Sequence, residues 1–185
     1  MTSDTDRQTL LRIAREAITA HVSGVPSPTP ESSDVTARPV GAFVTLHNHG
    51  ELRGCIGHVE ADEPLGRVVA SCAVAACSSD PRFSSVTASE LPHLDIELSI
   101  LGPLEPISGV DEIEIGRHGL VVEMGRRRGL LLPQVASEWN WSPNTFLAET
   151  CRKAGLPRDA WNNGARIWKF EAEVFGEHTL HGPGR

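Results

Sequence analysis

The chain has 185 residues, which is enough for one domain with its own hydrophobic core. Apolar residues make up 39% and charged residues 22%, a composition typical of a folded globular protein rather than of a disordered chain. The formal net charge of −7 argues against sequence-independent binding of nucleic acid, which needs clustered positive charge. It excludes neither a small-molecule ligand nor a protein partner.

Three features predict a cytoplasmic protein. The sequence contains no run of about 20 consecutive apolar residues, the length that a transmembrane helix needs. The first segment, MTSDTDRQTL, is polar and acidic, unlike a signal peptide. The four cysteines (Cys55, Cys72, Cys77 and Cys151) are too few for a disulfide-stapled secreted scaffold, so free thiols are expected.

The N-terminal segment predicts a helix followed by a loop. Apolar residues recur at steps of three and four over residues 5–22, which predicts an amphipathic helix capped by Asp4 or Thr5. The segment VPSPTPESSD, residues 25–34, predicts an extended loop outside the core, and the whole loop rich in proline and serine is placed over residues 25–38.

The middle of the chain predicts a β-hairpin over residues 41–59, with its turn at residues 48–50, and then a second helix that begins near Pro64. The further elements are predicted, in chain order, as a strand over 94–101, a hairpin over 118–133, a helix from 142 to 155, a strand over 167–175 and a loose tail over 177–185. On the strand over 167–175 the alternation places Phe170 and Val174 on the same face. Because strands and helices mix without a regular βαβ order, the sequence predicts an α+β fold with a mainly antiparallel sheet and packed helices.

The stretch ELRGCIGHVE, residues 51–60, places Cys55 next to Gly54 and two residues after Arg53. On a regular strand the Arg53 and Cys55 side chains share a face, about 7 Å apart along the chain. A cation at this distance favours the thiolate, and Gly54 and Gly57 leave room for a ligand close to the backbone. The pattern is compatible with a reactive thiol, but a free cysteine more often packs as a small apolar residue, and both interpretations stay open.

Two further residues are candidate proton carriers for Cys55. Glu97 lies on the face of its predicted strand that points away from the core, where it lines either a cleft or solvent. His58 follows Cys55 by three residues, which places it on the opposite strand face unless Gly57 introduces a bulge. Neither position identifies a general base by itself.

The turn SSDPRF contains Arg82, a candidate anion-binding residue at the rim of a cleft. The alternative is that Arg82 forms an ion pair with Asp80 that only shapes the loop. His47 and His49 form an H-x-H pair, but His49 falls in the predicted turn and the sequence places no third ligand. No metal site and no cofactor are therefore predicted.

Five segments together resemble the AMMECR-domain family, also called AmmeMemoRadiSam system protein A. They follow one another along nearly the whole chain, from about residue 8 to residue 176: GELRGCIG (50–57), DPRF (80–83), HGLVVE (118–123), GLLLPQVASEWNW (129–141) and FLAETCRKAGL (146–156). The combination of LRGCIG with LLPQVA further along the chain carries the resemblance.

The resemblance implies one α+β domain over residues 5–176, with a larger lobe from both chain ends, a smaller sub-domain and a cleft in which LRGCIG is exposed. It adds the other residues of this motif as candidate ligand-binding positions: Leu52, Gly54, Ile56 and Gly57. It also implies association with a Memo-like protein and a radical SAM protein.

Two hypotheses on function follow. In the first, the chain is an enzyme or enzyme component that acts on a small metabolite, with Cys55 as nucleophile or redox thiol and Arg53 as its stabilising cation. In the second, the chain is a non-catalytic module that binds a ligand or a partner segment over the LRGCIG strand. The sequence leaves both hypotheses open.

Overall fold

The computed structural model describes residues 2–60 and 62–180, and for residues 179 and 180 it describes the backbone only. The chain divides into two compact units. The first contains residues 1–100 together with residues 173–185, and the second contains residues 101–172. Both chain ends therefore belong to the larger unit.

The described residues form helices and antiparallel strands along the whole chain. The helices are α1 (Asp4–Val22), α2 (Leu65–Ser78), α3 (Pro133–Glu138), α4 (Pro143–Lys153) and α5 (Glu177–Leu180). The strands are β1 (Ala42–Asn48), β2 (Glu51–His58), β3 (Leu94–Leu101), β4 (Glu105–Ile107), β5 (His118–Met124), β6 (Arg127–Leu131) and β7 (Arg166–Gly176). Three short 3₁₀ helices span Leu91–His93, Val110–Glu112 and Ala160–Asn162. The predicted α+β fold with an antiparallel sheet is confirmed.

In the first unit the strands lie in the order β2-β1-β3, followed by the end of β7, so that β2 forms the edge. His49 and Gly50 make the turn between β1 and β2 with positive φ angles of 51° and 82°, the geometry that closes a two-residue hairpin. Helix α2 packs on β1 and β2, and α1 packs on α2. Their shared core includes the fully buried side chains Leu10, Ile18, Leu46, Leu65, Ile96 and Leu98.

In the second unit β7 lies between β5 and β4, and β6 pairs with the other side of β5. Helix α4 packs against β5 and β6 and buries Phe146, Leu147 and Cys151. It begins as predicted at Ser142, whose hydroxyl accepts a hydrogen bond from the Thr145 N–H, with proline at the first helical position.

Three of the local predictions are wrong. The cap of α1 is Ser3, which forms a capping box with Asp6, rather than Asp4 or Thr5. The hairpin predicted over 118–133 ends at Leu131, and residue 133 starts α3 instead. Residues 25–34 lie outside helices and strands and are almost all exposed, as predicted, whereas the following Val35 is only 5% exposed and packs into the core of the first unit.

The third wrong prediction is the loose tail at residues 177–180. Residues 177–180 form α5, and Glu177 accepts hydrogen bonds from the Arg15 guanidinium and, at 3.0 Å, from the Ile96 N–H. Arg15 in turn donates to the Leu94 carbonyl at 2.7 Å, which ties α1, β3 and the tail together. Residues 181–185 of the predicted tail lie outside the described residues.

Helices in the described part of the chain fall short of the length and apolar character needed to cross a membrane.

Candidate functional site

Strand β2 carries a β-bulge at Arg53. Thr45 pairs with Cys55 and Leu46 with Gly54, whereas the next residue of β1 pairs with Leu52. Arg53 is therefore an extra residue without an opposite partner in β1, the defining feature of a bulge. The bulge interrupts the two-residue alternation, on which the prediction of a shared face for Arg53 and Cys55 depended.

The Arg53 guanidinium contacts Glu90 and the loop after α2 rather than the Cys55 sulfur. Its Nε donates to Glu90 Oε1 at 2.7 Å, and its Nη1 and Nη2 donate to the carbonyls of Ser84 and Ser85 at 2.8 and 3.3 Å. The side chain is only 15% exposed. The predicted role of Arg53 as the cation beside the thiolate is corrected: Arg53 fastens a loop over the edge strand.

We expect Glu90 to make stability depend on pH. Its hydrogen bonds from Arg53 and from the Thr87 N–H lower its pKa from 4.5 to about 2. A lowered folded-state pKa stabilises the fold above the unfolded-state value, and this stabilisation is lost as the pH falls from about 4.5 towards about 2. The Glu90→Gln variant should unfold more easily than the parent by about 2 kcal/mol at neutral pH, with the difference shrinking in acid.

Urea unfolding at a series of pH values measures this effect. The matched control is Glu16→Gln, which removes an exposed ion pair with Arg12 and should cost less than about 0.5 kcal/mol. A difference between the parent and Glu90→Gln that is the same at all pH values would contradict the assignment.

Cys55 is held by one contact to its sulfur and one to its backbone. The Thr45 hydroxyl donates to Cys55 Sγ at 3.3 Å, across the β1–β2 pair. The Cys55 N–H, on the open side of the edge strand, donates to Asp80 Oδ2 at 2.9 Å. Asp80 thus accepts from a backbone N–H group that would otherwise lie unpaired at the edge of the sheet.

Asp80 and Arg82 form an ion pair next to Cys55. The Asp80 carboxylate is nearly buried, with 2% of its side chain exposed, and it accepts Arg82 Nε at 3.0 Å and Nη2 at 2.7 Å. These bonds hold the Asp80 pKa well below its usual range. Arg82 itself is 55% exposed and lies over the Phe83 ring at 5.4 Å. The ion pair that the sequence offered as an alternative is therefore formed, and one face of Arg82 stays open.

The Cys55 thiol has a raised pKa. Burial is the largest cause, and the negative charges of Asp80 and Glu97 add to it, whereas the Thr45 hydroxyl and the Arg82 charge act in the opposite direction. The cation that acts on Cys55 is therefore Arg82 and not Arg53. The predicted lowering of the pKa is corrected: at neutral pH Cys55 is a thiol, not a thiolate.

Glu97 and Cys55 are both cross-strand neighbours of Thr45, one on each side of strand β1. Thr45 pairs with Cys55 on one side and with Glu97 on β3 on the other. Side chains directly opposite each other have Cβ atoms about 5 Å apart, so Thr45 stands between the thiol and the carboxylate. The structure thus brings together the Cys55 site, which comprises Thr45, Cys55, Asp80, Arg82 and Glu97.

Gly54 and Gly57 pack closely against neighbouring residues of the first unit. A Cβ on Gly54 would lie 2.1 Å from the Ala76 carbonyl oxygen of α2. A Cβ on Gly57 would lie 2.3 Å from the Phe43 ring and 2.5 Å from the Ala42 carbonyl oxygen. The space that was predicted to admit a ligand is taken up by packing.

The remaining candidates lie apart from the thiol. His58 is exposed at the end of β2 and pairs with Ala42, whereas Ile56 packs against the core of the first unit. Leu52 is 40% exposed and stays a candidate contact for a ligand. In the described part of the chain no three metal-ligating side chains come together, and His49 stacks on His93 instead.

Cys55 differs from the other three cysteines in its accessibility. All four lie in the described part of the chain, and none forms a disulfide. Cys72, Cys77 and Cys151 are at most 2% exposed, whereas Cys55 is half-buried. Sequence reasoning identified Cys55, Glu97 and Arg82 but missed Thr45 and the contact of Asp80 with the Cys55 N–H. These depend on strand pairing and on the fold of the loop.

Comparison with known proteins gives matches along nearly the whole chain. The AMMECR1 family profile matches residues 11–175. A protein from Methanothermobacter thermautotrophicus is 44% identical over 182 residues, covering 92% of this chain and 93% of that protein. A protein from Methanosarcina mazei is 41% identical over 192 residues, covering 98% and 96%. The crystal structure of an uncharacterised protein from Pyrococcus horikoshii is similar with a TM-score of 0.86 and 40% identity, covering 94% of this chain and 92% of that one.

Proposed function

The chain belongs to the AMMECR1 family, and we propose that it is an enzyme or enzyme component that takes a small anionic metabolite at the Cys55 site. Cys55 is the nucleophile in this proposal. The observation that carries it is that Cys55 is the single accessible thiol of four, all of them described, and lies beside a half-exposed arginine.

Arg82 supplies the binding charge. Its Nε and Nη2 are engaged by Asp80, which fixes the plane of the guanidinium, while more than half of the side chain stays exposed. A guanidinium held in this way binds a carboxylate or a phosphate through its free N–H groups. A ligand anchored there lies near Cys55, because the Asp80 carboxylate that holds Arg82 also accepts from the Cys55 N–H and the Arg82 charge acts on the thiol.

The proposed step is addition of the thiol to a carbonyl carbon of the ligand. The S–C bond forms and the π electron pair of the carbonyl moves to its oxygen. The Thr45 hydroxyl, which donates to Sγ at rest, turns towards Glu97, gives its proton to that carboxylate and takes the thiol proton in exchange. Because Cys55 is protonated at rest, the step requires a base that removes the thiol proton as the S–C bond forms.

Two alkylating probes that differ in charge test the binding role of Arg82. Iodoacetate is anionic and iodoacetamide is neutral, so the ratio of their rates at Cys55 measures local attraction of anions and cancels the thiolate fraction. In Arg82→Gln we expect this ratio to fall about tenfold. Arg12→Gln, which removes an exposed arginine of the same unit, should leave it unchanged. An unchanged ratio in Arg82→Gln would contradict the proposed anion site.

Glu97→Gln tests the proton transfer. The charge of Glu97 raises the Cys55 pKa, so its removal alone would speed alkylation at neutral pH. A role as proton acceptor predicts the opposite result, namely slower addition of Cys55 to a carbonyl acid such as glyoxylate, followed by intact-mass analysis. Faster addition in Glu97→Gln would remove this role.

A second candidate function is a non-catalytic binding module, and the raised pKa of Cys55 favours it. In that case Cys55→Ala retains ligand binding, and no adduct forms on Cys55 with any carbonyl probe. Loss of both adduct formation and turnover in Cys55→Ser supports the enzyme instead.

The resemblance of the motifs supports two further parts of the proposal, a Memo-like and a radical SAM partner. Co-purification of either protein with the tagged chain is the expected result, and recovery of the chain alone from cells that express both would contradict it. The four free cysteines support a place of action in the reducing cytoplasm.

A further inference from the structure

A cavity of about 530 Å³ is lined only by residues of the second unit. This volume lies in the usual range of small-molecule sites, about 300–1,000 Å³. The charged and titratable side chains on which the inference depends are Glu105, Asp111, Arg117, His118 and Lys169. None of them belongs to the Cys55 site.

His118 presents a hydrogen-bond donor to this cavity. The residue is only 8% exposed, and its Nδ1 accepts a hydrogen bond from the Glu114 N–H at 3.0 Å. A neutral imidazole that accepts at Nδ1 carries its proton at Nε2. No group of the described residues hydrogen-bonds Nε2, although His118 lines the cavity.

Burial lowers the pKa of His118, and the nearby charges of Lys169 and Arg117 lower it further, whereas Glu114 and Glu171 oppose them. The imidazole is therefore neutral at physiological pH, and Nε2–H stays a donor.

Lys169, Glu105 and Asp111 line the same cavity and form no ion pair with one another. Lys169 pairs with Glu105 in the β4–β7 register, yet its ammonium reaches no carboxylate within 4 Å among the described residues and contacts only the Glu112 carbonyl at 3.4 Å. Within the same part of the chain Glu105 and Asp111 form no ion pair.

Arg117 behaves differently, because Glu171 and Glu114 hold it at 2.7 and 3.1 Å. The cavity thus offers one ammonium and one N–H donor for an anionic group. For a cationic group it offers the carboxylates of Glu105 and Asp111. The third carboxylate outside an ion pair among the described residues of the lining, Glu112, already accepts the Ser108 N–H.

We propose that this cavity binds a small zwitterion of the amino-acid class, with its carboxylate on His118 Nε2 and Lys169 and its ammonium on Glu105 and Asp111. A ligand with both charges pairs with all four groups at once. A ligand with one charge leaves either the cation or the carboxylates of the cavity without a partner.

Titration calorimetry and NMR on the full chain test this proposal with ω-amino acids from glycine to 6-aminohexanoate. One chain length is expected to bind and to shift the His118 ring resonances. The carboxylate and the alkylamine of the same length should each bind about tenfold more weakly or worse. Equal binding of a singly charged compound would overturn the proposal, as would the absence of binding by every ω-amino acid.

Two variants separate recognition from folding. His118→Asn keeps an acceptor for the Glu114 N–H and removes the Nε2 donor, and Lys169→Met removes the ammonium from an accessible strand position. Both should weaken the binding of the zwitterion about tenfold. Lys153→Met, a surface lysine of the same unit, is the control and should bind as the parent does. Unchanged affinity in Lys169→Met would overturn the proposal even if His118→Asn fails to fold.

Discussion

Gly54→Ala should destabilise the protein by roughly 3 kcal/mol, because the added methyl group would lie 2.1 Å from a backbone oxygen. That oxygen belongs to Ala76 in helix α2, so relief requires α2 to move away from β2. Both elements pack in the core of the first unit, and the displacement would loosen the contacts between them. Urea unfolding followed by circular dichroism measures the loss.

The matched control is Gly109→Ala. A Cβ at Gly109 meets nothing within 4 Å, and its φ of −166° is extended backbone that alanine adopts. Its stability should change by less than about 0.5 kcal/mol. A stable Gly54→Ala variant would show that the α2–β2 contact is looser than described. Because of this contact, a larger residue at position 54 would disturb the fold itself, so such a variant cannot test ligand binding.

Asp80→Asn and Arg82→Gln are expected to shift the reactivity of Cys55 in opposite directions. Asp80 raises the Cys55 pKa and Arg82 lowers it, so the first variant should titrate at lower pH than the parent and the second at higher pH. At neutral pH, Asp80→Asn should therefore react faster with iodoacetamide and Arg82→Gln more slowly. Asp80→Asn also weakens hydrogen bonds to a buried carboxylate, at a cost of about 2 kcal/mol in stability.

The opposite directions of the two expected rate changes distinguish an electrostatic effect from loosening of the loop. Each variant weakens the same ion pair, so loosening alone would expose Cys55 and speed its reaction in both. Faster alkylation in both variants would contradict the electrostatic explanation. The pH dependence of the rate in each variant, read at Cys55 by mass spectrometry, distinguishes the two.

The sequence predicted most helices and strands because their signals are local. The His49–Gly50 turn, the alternation that buries Ile96 and Leu98, and the start of α4 at Ser142 each depend on a few neighbouring residues. The bulge at Arg53 could not be predicted in this way. It arises from the pairing of two strands, and an extra residue in a hairpin leaves no mark in the periodicity of one strand.

Strand β7 shows the same limit. Phe170 is buried as predicted, but Val174 is 44% exposed and Phe175 is buried in its place. The predicted common face fails because the strand serves two units. Its residues up to 172 belong to the second unit, and Phe175 packs in the core of the first.

The surroundings of Cys55 were predicted only in part. The thiol, the carboxylate of Glu97 and the arginine of the DPRF turn are chemically conspicuous, and the structure places them near one another. The choice between Arg53 and Arg82 as the neighbouring cation depended on where Glu90 and Asp80 lie after the chain folds. Arg53 is two residues from Cys55 in the sequence and contacts Glu90, whereas Arg82 is 27 residues away and acts on the thiol. No short sequence pattern contains this difference.

The rate of Cys55 alkylation by iodoacetamide, measured across pH, decides whether Cys55 is an accessible thiol that stays protonated at rest. The internal references in the same mass spectra are Cys72, Cys77 and Cys151. We expect Cys55 to react faster than the three buried thiols and to titrate above its ordinary value of 9.0. A midpoint well below about 8.5 would contradict this expectation, because Cys55 would then be a thiolate at rest, with a stabilising cation closer than Arg82.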